Sequence, residues 1–227
     1  MSQLPATLTT AHLADACVRL GLGVLCPPLR PAFLGARVSG PLRSVVHLGS
    51  VDVILEALGR CPAGAVLLVD DDARVDRACI GDLIALEARH VGLSGIVVNG
   101  CHRDSDELAS IGLGVFSLGA HPSGPLTVDA SDGGRGVARI GAFDVSDDDW
   151  IVGDADGVIL VPADRVDDVV KVASEIRSIE REQAACVVAG TSLREQLRFD
   201  EYVDRRTLDP SYGFREHLAR IGRAIEQ

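Results

Sequence analysis

The residue types best suited to chemistry fall between Cys79 and Leu108, in the stretch CIGDLIALEARHVGLSGIVVNGCHRDSDEL. Asp82 follows a glycine at the start of a segment whose apolar residues have helical spacing, and Arg103-Asp104 follows a short β-branched run. The free backbone N–H groups at such a helix start would suit a carboxylate. We therefore expect a site where Asp82 meets Arg103 and Asp104.

Three predicted elements would bring these residues together. An apolar run at 65–69 and a second at 95–99 predict buried parallel strands, and residues 82–91 predict the connecting helix. The apolar residues Leu83, Ile84, Leu86 and Ala88 are spaced for one buried helix face. Such a βαβ unit returns the chain to the edge of the sheet where the first strand ends. Open α/β sheets bind ligands in the crevice beyond that edge.

Structural interpretations of the same residues remain open at this point. Asp104 to Glu107 reads DSDE, which fits a capping box in which Asp104 caps a helix and Glu107 reaches back. Asp82 could simply favour its helix dipole, and Arg103 could neutralise both acids. The acidic run 70–72 follows a predicted strand, so it is either a solvated loop or a contribution to the negative field of a cation site.

Composition limits the possible chemistry. The chain has 227 residues, a formal net charge of −11 and 47% hydrophobic residues, which suits one sizeable α/β domain and argues against a general nucleic-acid-binding surface. Its only lysine, Lys171, falls within a long predicted helix, so we expect neither a Schiff base nor a Walker lysine. Carbonyl chemistry would then rely on a metal or on arginine for charge stabilisation.

Other site classes find little support. The six cysteines show no CxxC pair and no zinc spacing, which favours reduced thiols in a cytoplasmic protein, and neither a signal peptide nor a transmembrane run is evident. A Cys101-His102 catalytic pair is disfavoured because the two are sequence neighbours in a predicted loop. No GxSxG elbow, dinucleotide fingerprint or methyltransferase-type glycine loop is present.

In the first half of the chain we predict a helix over 8–20 capped by Thr7 or Thr9, a strand over 36–46 interrupted at Gly40-Pro41, and a helix over 51–58 capped by Ser50. The middle part predicts a strand over 115–118, a loop over 121–135, and strands over 137–145 and 150–161, the second of which contains a hairpin turn at 153–157. The last part predicts a helix from an Asp164 cap to Ala189, a helix beginning at Ser192, and a final helix after Pro210. The charged helical part, 190–227, is expected to pack on the domain or on another subunit and not to form its own core.

Four phrases of the sequence resemble one known family: Gly81-Asp82-Leu83-Ile84, the run GLSGIVVNG, Arg103-Asp104-x-x-Glu107, and VGDADGV from Val152. They are similar to the RraA-like family. It includes the class II pyruvate aldolases acting on 4-hydroxy-4-methyl-2-oxoglutarate and 4-carboxy-4-hydroxy-2-oxoadipate, and the regulator of ribonuclease E activity.

This resemblance implies a layered α/β/β/α swivelling-domain fold over residues 1–189, a helical extension over 190–227, and homotrimers or homohexamers with sites between subunits. It implies that Asp104 holds Mg²⁺ or Mn²⁺, that Arg103 contacts a 2-oxo acid substrate, and that backbone amides of 81–84 hold the substrate carboxylate. Asp82 would position a water that acts as base. Glu107 is a possible supporting residue.

The implied reaction is retro-aldol cleavage of a 4-hydroxy-2-oxo acid to pyruvate, with oxaloacetate decarboxylation as a side activity. The alternative is a non-catalytic RraA-like protein that binds and inhibits a ribonuclease. Two features depart from the family pattern. The acidic run 70–72 stands where an aspartate followed by glycines is common, and the extension is long, with Glu195 and Glu201 as candidates for an acid given to a neighbouring subunit.

Overall fold

The chain folds as a mixed α/β structure with most of its strands in one sheet. The computed structural model describes residues 4–5, 7–47, 49–125, 137–147 and 149–222. The strands are β1 (Arg30–Pro31), β2 (Val38–Val46), β3 (Val66–Asp70), β4 (Ala78–Ile80), β5 (Gly95–Asn99), β6 (Cys101–His102), β7 (Gly114–Ser117), β8 (Gly119–Ala120), β9 (Arg139–Ile140), β10 (Phe143–Asp144), β11 (Asp149–Asp154) and β12 (Gly157–Pro162). The helices are α1 (Thr10–Arg19), α2 (Asp52–Leu58), α3 (Asp82–His90), α4 (Ser105–Ile111), α5 (Val166–Val188), α6 (Leu193–Gln196), α7 (Phe199–Leu208) and α8 (Phe214–Ile221).

The main sheet has seven strands in the order β1-β7-β5-β3-β2-β11-β12. Strands β2, β3, β5 and β7 run parallel, and the strands beyond them on both sides are antiparallel. The predicted parallel pairing of 65–69 with 95–99 is confirmed, since Val66 lies opposite Gly95 and Asp70 opposite Asn99. The crossover between them is α3, as expected.

The sheet curls until its two ends approach each other. Leu25 forms an isolated bridge with Leu160 of β12, and Arg30 Nη1 of β1 donates to the Asp156 carbonyl at 2.7 Å. The apolar residues inside the curl form one core, which includes Leu68, Phe116 and Ile151. Two walls of the same sheet therefore face each other, as the predicted α/β/β/α layering requires.

Helices cover the outer surfaces of both walls. Buried residues of α2 and α3 pack against β3 and β5 on one side. On the other side, α1 and α5 pack on the outward residues of β11 and β12, with Trp150 among them. The predicted layered fold class is thus confirmed. None of the helices in the described part of the chain combines the length and apolar composition needed to traverse a bilayer.

A second, three-stranded parallel sheet, β4-β6-β8, was not predicted from the sequence. Its strands are three, two and two residues long, too short to show periodicity. Ala78 lies opposite Cys101 and Ile80 opposite His102, and Arg103 N donates to the Ile80 carbonyl at 3.0 Å. This small sheet sets the residue after β4, Gly81, beside the residue after β6, Arg103.

Several predicted boundaries need correction. Strand β2 continues through Gly40-Pro41, and residues 137–145 contain the short antiparallel pair β9 and β10. Thr9, one of the two candidates, caps α1. Val51 and not Ser50 occupies the N-cap position of α2, without a side-chain capping hydrogen bond. A 3₁₀ turn, Ala163–Arg165, precedes α5, so Asp164 is not its cap. The predicted loop at 121–135 is described only to residue 125, and the rest lies outside the described residues.

The expected buried face of α3 is also partly wrong. Ile84, Ala85 and Ala88 are buried, but the side chains of Leu83 and Leu86 are 73% and 47% exposed. Helical spacing alone did not fix which side of α3 faces the sheet. In the structure the helix is rotated so that the small Ala85 is buried against the sheet. Two large apolar side chains therefore remain on the outer surface.

The C-terminal helices α6 to α8 have a small core of their own, contrary to expectation. Rings of Phe199, Tyr202, Tyr212, Phe214 and His217 meet with centroid separations of 4.9–6.2 Å. Ser192 begins α6 with a capping box formed with Glu195, but the single helix predicted from Ser192 is broken at Leu197-Arg198 into α6 and α7. The extension is thus a compact helical cluster.

Candidate active site

The candidate site lies where α3 begins and where the chain passes from β6 into α4. Gly81 precedes α3, and Arg103 and Asp104 precede α4. Because β4 and β6 are adjacent parallel strands, their carboxyl ends lie side by side. The structure therefore brings together Asp82, Arg103 and Asp104, the three residues that the sequence singled out.

Asp104 adopts a left-handed backbone conformation, with φ 60° and ψ 47°. It occupies the N-cap position of α4, yet its side chain makes no capping hydrogen bond there, so the predicted capping box is wrong. Its Oδ2 instead accepts from Asp82 N at 3.3 Å and lies 3.3 Å from Arg103 Nε. A left-handed residue other than glycine costs on the order of 1–3 kcal/mol. Three other non-glycine residues in the described part of the chain also have positive φ, namely Asp72, Ala73 and Arg198, so it is the contacts of Asp104 that distinguish it.

Two glycines make room for this arrangement. A Cβ on Gly81 would lie 2.2 Å from Asp104 Oδ2 and 3.1 Å from Arg103 Cγ. A Cβ on Gly124 would lie 2.8 Å from Arg103 Nη1. The carboxylate of Asp104 and the guanidinium of Arg103 thus occupy space that side chains would otherwise fill.

The start of α3 already binds carboxylates of the chain itself. Asp104 Oδ2 accepts a hydrogen bond from the backbone N–H of Asp82, and Asp82 Oδ1 accepts one from Leu83 N at 2.7 Å. These are N–H groups that we expected to hold a substrate carboxylate. The positive end of the helix attracts anions, as predicted, and a substrate would have to displace Asp82 Oδ1 to use the Leu83 N–H.

A cavity of about 430 Å³ opens at this point. All five residues predicted to bind substrate line it, namely Gly81, Asp82, Leu83, Ile84 and Arg103. Val51 and Leu55 of the α2 region face the same space. Its wall is therefore mainly apolar with a few charged groups, which is the usual composition of a small-molecule site, and Asp104 is not among the lining residues.

His102 was missed as a contributor to this site. It is 4% exposed, and its Nδ1 lies 2.7 Å from Ser117 Oγ while its Nε2 lies 3.1 Å from Ser105 Oγ. Burial lowers the pKa of His102, and the carboxylate of Asp104 opposes that shift. A neutral ring held at both nitrogens fixes the backbone directly before Arg103 and Asp104. The signal available in the sequence was only a histidine beside the Arg-Asp pair.

The acidic run 70–72 is not a solvated loop, because two of its three side chains are buried. Asp70 Oδ1 accepts from Asn99 Nδ2 at 2.8 Å, and Asp70 Oδ2 accepts from Arg139 N at 2.8 Å. Asp71 lies 2.7 Å from His47 Nδ1. Only Asp72 is exposed, and it pairs with Arg139. Asp70 thus connects β3 to β5 and β9.

The other acidic residues that the sequence suggested lie elsewhere. Glu107 is exposed on α4, and no described residue forms a hydrogen bond with its side chain. Glu195 completes the capping box of α6, and Glu201 forms an ion pair with Arg220 at 2.8 Å. Neither of the last two is a free acid in this chain.

The donor set suits a hard divalent cation. The Asp104 side chain is 32% exposed, and its Oδ1 has no hydrogen-bond partner among the described residues. Mg²⁺ and Mn²⁺ prefer oxygen ligands and commonly bind through one or two carboxylates with several waters. Asp104 is therefore the residue that would hold such an ion.

Comparison with known proteins assigns the chain to a family. Residues 10–160 match the sequence family described as RraA-like: Aldolase/RraA. The chain belongs to the RraA-like aldolase family. A protein of Burkholderia mallei, provisionally named a 4-hydroxy-4-methyl-2-oxoglutarate aldolase, is 38% identical over 160 residues, which cover 66% of this chain and 93% of that protein.

Solved structures share the RraA-like fold. An uncharacterised protein from Pseudomonas syringae pv. tomato superposes with a TM-score of 0.69 at 24% identity and covers 83% of this chain and 92% of its own. The RNA-processing inhibitor RraA from Thermus thermophilis superposes with a TM-score of 0.58 at 25% identity, with 68% and 92% covered. The family match ends before α5, so the C-terminal helices lie beyond the shared region.

Proposed function

We propose that this RraA-like protein is a divalent-metal-dependent carbon–carbon lyase that cleaves a 4-hydroxy-2-oxo acid to pyruvate and a second carbonyl compound. The observation that carries the proposal is the conformation of Asp104. This aspartate has a left-handed backbone and does not cap its own helix. Its carboxylate instead contacts Arg103 and the start of α3. The relative from Burkholderia mallei, named for an aldolase activity of this kind, supports the same reaction.

Each residue has a distinct part in the proposed reaction. Arg103, at one end of the cavity, pairs with the substrate carboxylate, and the Leu83 N–H at the start of α3 adds a donor when Asp82 turns away. Asp82 orients a water that removes the proton from the C4 hydroxyl. The C3–C4 bond then breaks, the C4 oxygen becomes a carbonyl, and the bonding electrons pass into the enolate of pyruvate. Protonation at C3 completes the product.

Asp104 would hold Mg²⁺ or Mn²⁺, which when bound supplies a positive charge against the developing enolate oxygen. Loss of CO₂ from oxaloacetate produces the same enolate and requires no base at C4. We therefore propose oxaloacetate decarboxylation as a side activity that depends on Asp104 and Arg103 but not on Asp82.

The test is a coupled assay in which released pyruvate is reduced by lactate dehydrogenase. The protein is given Mg²⁺ or Mn²⁺ and a panel of 4-hydroxy-2-oxo acids together with oxaloacetate. We expect pyruvate release that EDTA abolishes and that Asp104→Asn reduces by at least about 100-fold. Asparagine tolerates the left-handed conformation, so this variant should fold.

Asp106→Asn is the matched control, since Asp106 is an exposed aspartate on the first turn of α4 whose carboxylate makes no hydrogen bond or ion pair among the described residues. It should retain full activity. Absence of pyruvate from every substrate, or equal rates for wild type and Asp104→Asn, would contradict the proposal.

We also propose that the protein works as a homotrimer or homohexamer. Val51, Leu55, Leu83 and Leu86 present apolar surface at or beside the cavity, with exposures of 39–73%. A neighbouring copy over this surface would exclude water from the reaction. Size-exclusion chromatography with light scattering should give a trimeric or larger mass, whereas a monomeric mass in an active preparation would contradict it.

A ribonuclease-binding role is the second candidate, because the RraA structure from Thermus thermophilis carries the description of an RNA-processing inhibitor. A mainly apolar cavity with a few charged lining residues favours a small-molecule reaction over a binding surface. A ribonuclease assay with and without the protein would separate the two, since a catalytically silent inhibitor would slow RNA cleavage and release no pyruvate.

A further inference from the structure

A second group of potential metal ligands adjoins the candidate active site, because one of its members, Cys79, also lines the cavity. It consists of His47, which follows β2, Asp71, which follows β3, and Cys79 in the middle of β4. A ring nitrogen of His47, a carboxylate oxygen of Asp71 and the Sγ of Cys79 all lie within 4.8 Å of one another. The His47 and Asp71 side chains are 0% and 1% exposed, and Cys79 is 3% exposed.

The hydrogen bonds within this group leave polar atoms unsatisfied. His47 Nδ1 lies 2.7 Å from Asp71 Oδ1, but His47 Nε2 and Asp71 Oδ2 are buried without a hydrogen-bond partner in the part of the chain that the structure describes. The thiol of Cys79 has only a long contact of 3.8 Å to the Cys101 carbonyl. A buried polar atom without a partner costs about 1–3 kcal/mol, so two such atoms beside a thiol need an explanation.

We propose that His47, Asp71 and Cys79 bind a divalent transition metal of the zinc type, at a site separate from Asp104. Imidazole nitrogen and thiolate sulfur select Zn²⁺ or Co²⁺ over Mg²⁺, and one carboxylate oxygen completes a three-residue set. With metal–ligand bonds of about 2.0–2.3 Å, tetrahedral ligands lie roughly 3–4 Å apart. The candidate ligand atoms lie within 4.8 Å of one another, so metal binding would draw the more distant ones together by about 1 Å.

The thiol of Cys79 is buried within reach of the other two candidate ligands, and binding of a cation would release its proton. The metal would satisfy the unpaired atoms and join the ends of β2 and β3 to β4, which leads directly into Gly81. Its role would be to hold the start of α3 in place.

The experiment uses Co²⁺ as a spectroscopic probe on the full-length protein after removal of metals with EDTA and dialysis. Excess Mg²⁺ is present throughout to compete for oxygen-ligand sites such as Asp104. We expect a near-ultraviolet thiolate-to-cobalt charge-transfer band that saturates at one equivalent per chain. Added Zn²⁺ should abolish the band.

Variants assign the ligands. Cys79→Ser should lose the band, and His47→Gln should lose it or weaken Co²⁺ binding at least about 100-fold. Cys17→Ser, which alters a buried thiol in the core beneath α1, should keep it, as should Asp104→Asn. Circular dichroism checks that each variant folds.

The wild-type protein alone can overturn the proposal. If it shows no charge-transfer band, the group is a His47–Asp71 hydrogen bond beside a thiol, without a metal. A band that persists in folded Cys79→Ser would also overturn it. Because Asp104→Asn removes lyase activity but not the cobalt band, failure of this proposal and failure of the proposed function remain distinguishable.

Discussion

At the scale of single residues, the site depends on the absence of a side chain at Gly81. Its backbone, at φ −149° and ψ −160°, is extended and open to any residue, so the requirement for glycine is steric. A Cβ there would lie 2.2 Å from the carboxylate of Asp104. Glycine is therefore needed at this position to make room for Asp104, and not to allow an unusual backbone conformation.

Gly81→Ala should reduce kcat/KM for pyruvate release by about 100-fold, because a shift of about 1 Å in a catalytic group can cost that much. The fold should be retained, as shown by an unchanged circular dichroism spectrum. Gly59→Ala is the control, since a Cβ at that helix end meets nothing closer than 3.6 Å. Equal activity of Gly81→Ala and wild type would show that Asp104 tolerates displacement.

His102 should make the stability of the protein depend on pH. Burial lowers its folded-state pKa below the unfolded value of about 6.5, so the unfolded chain binds the proton more readily. This contribution to the unfolding free energy is fully present above about pH 6.5 and is lost as the pH falls toward the lowered pKa.

His102→Asn cannot titrate, so its unfolding free energy should fall less steeply than that of wild type between about pH 7 and about pH 5. Urea denaturation in EDTA, followed at several pH values, measures both slopes. The other histidines titrate in both proteins and cancel in the comparison. Identical slopes would mean that His102 is not buried as a neutral ring.

The sequence predicted the identity of the charged residues better than their conformation. Asp82, Arg103 and Asp104 could be selected because each follows a recognisable element. The left-handed backbone of Asp104 could not be predicted, because DSDE is an equally good capping box and local hydrogen bonding favours the cap. Only the contact with Asp82 N and Arg103, made across the chain, decides against it.

At the scale of elements, Asp70 connects three strands through one buried carboxylate. It accepts hydrogen bonds from Asn99 of β5, from Arg139 N of β9 and from Asp72 N. The run DDD in the sequence does not distinguish this aspartate from its exposed neighbour. The burial arises because β3 lies in the centre of the sheet, with β2 and β5 on either side.

Asp70→Asn should lower the unfolding free energy by about 2 kcal/mol, because the amide nitrogen cannot accept the hydrogen bond from Arg139 N and leaves that donor unsatisfied. Asp72→Asn, which removes only an exposed ion pair, should change it by less than about 0.5 kcal/mol. Urea denaturation followed by Trp150 fluorescence measures both. Equal effects of the two substitutions would contradict the structural role of Asp70.

The long elements were predictable and the short ones were not. The run GIVVN predicted β5 with the same bounds as the structure, because three consecutive β-branched residues between Gly95 and Asn99 suit a doubly buried strand. Strands β4, β6 and β8 have two or three residues each, and their pairing depends on the return of the chain through α3 and β5. They nevertheless position Gly81 beside Arg103, so the local geometry that matters most to the site was the hardest to predict from the sequence.

At the scale of the whole molecule, we propose that the chain divides into two parts with separate cores. Every buried residue of the three large apolar clusters lies at or before Ile176. The extension has its aromatic cluster, and one link between the parts is the hydrogen bond from Gln196 Nε2 to the Gln183 carbonyl. Removal of the extension should therefore change the unfolding free energy of the main domain little.

The intrinsic chromophores report on the two parts separately. The single tryptophan, Trp150, is buried between the sheet and helices α1 and α5, whereas both tyrosines, Tyr202 and Tyr212, are buried in the extension. Tryptophan fluorescence therefore follows the main domain alone. Near-ultraviolet tyrosine circular dichroism follows the extension.

A protein ending at residue 189 should fold, and its tryptophan unfolding midpoint should lie within about 5 °C of that of the full chain, because roughly 1 kcal/mol or less is lost at the boundary. In the full chain the tyrosine signal should be lost at lower temperature than the tryptophan signal, since fewer than about 40 residues rarely form a stable core alone. Coincident midpoints would show that the extension and the domain unfold as one unit. If the truncated protein folds but releases no pyruvate, the extension contributes part of the active site, either of its own chain or of a neighbouring copy.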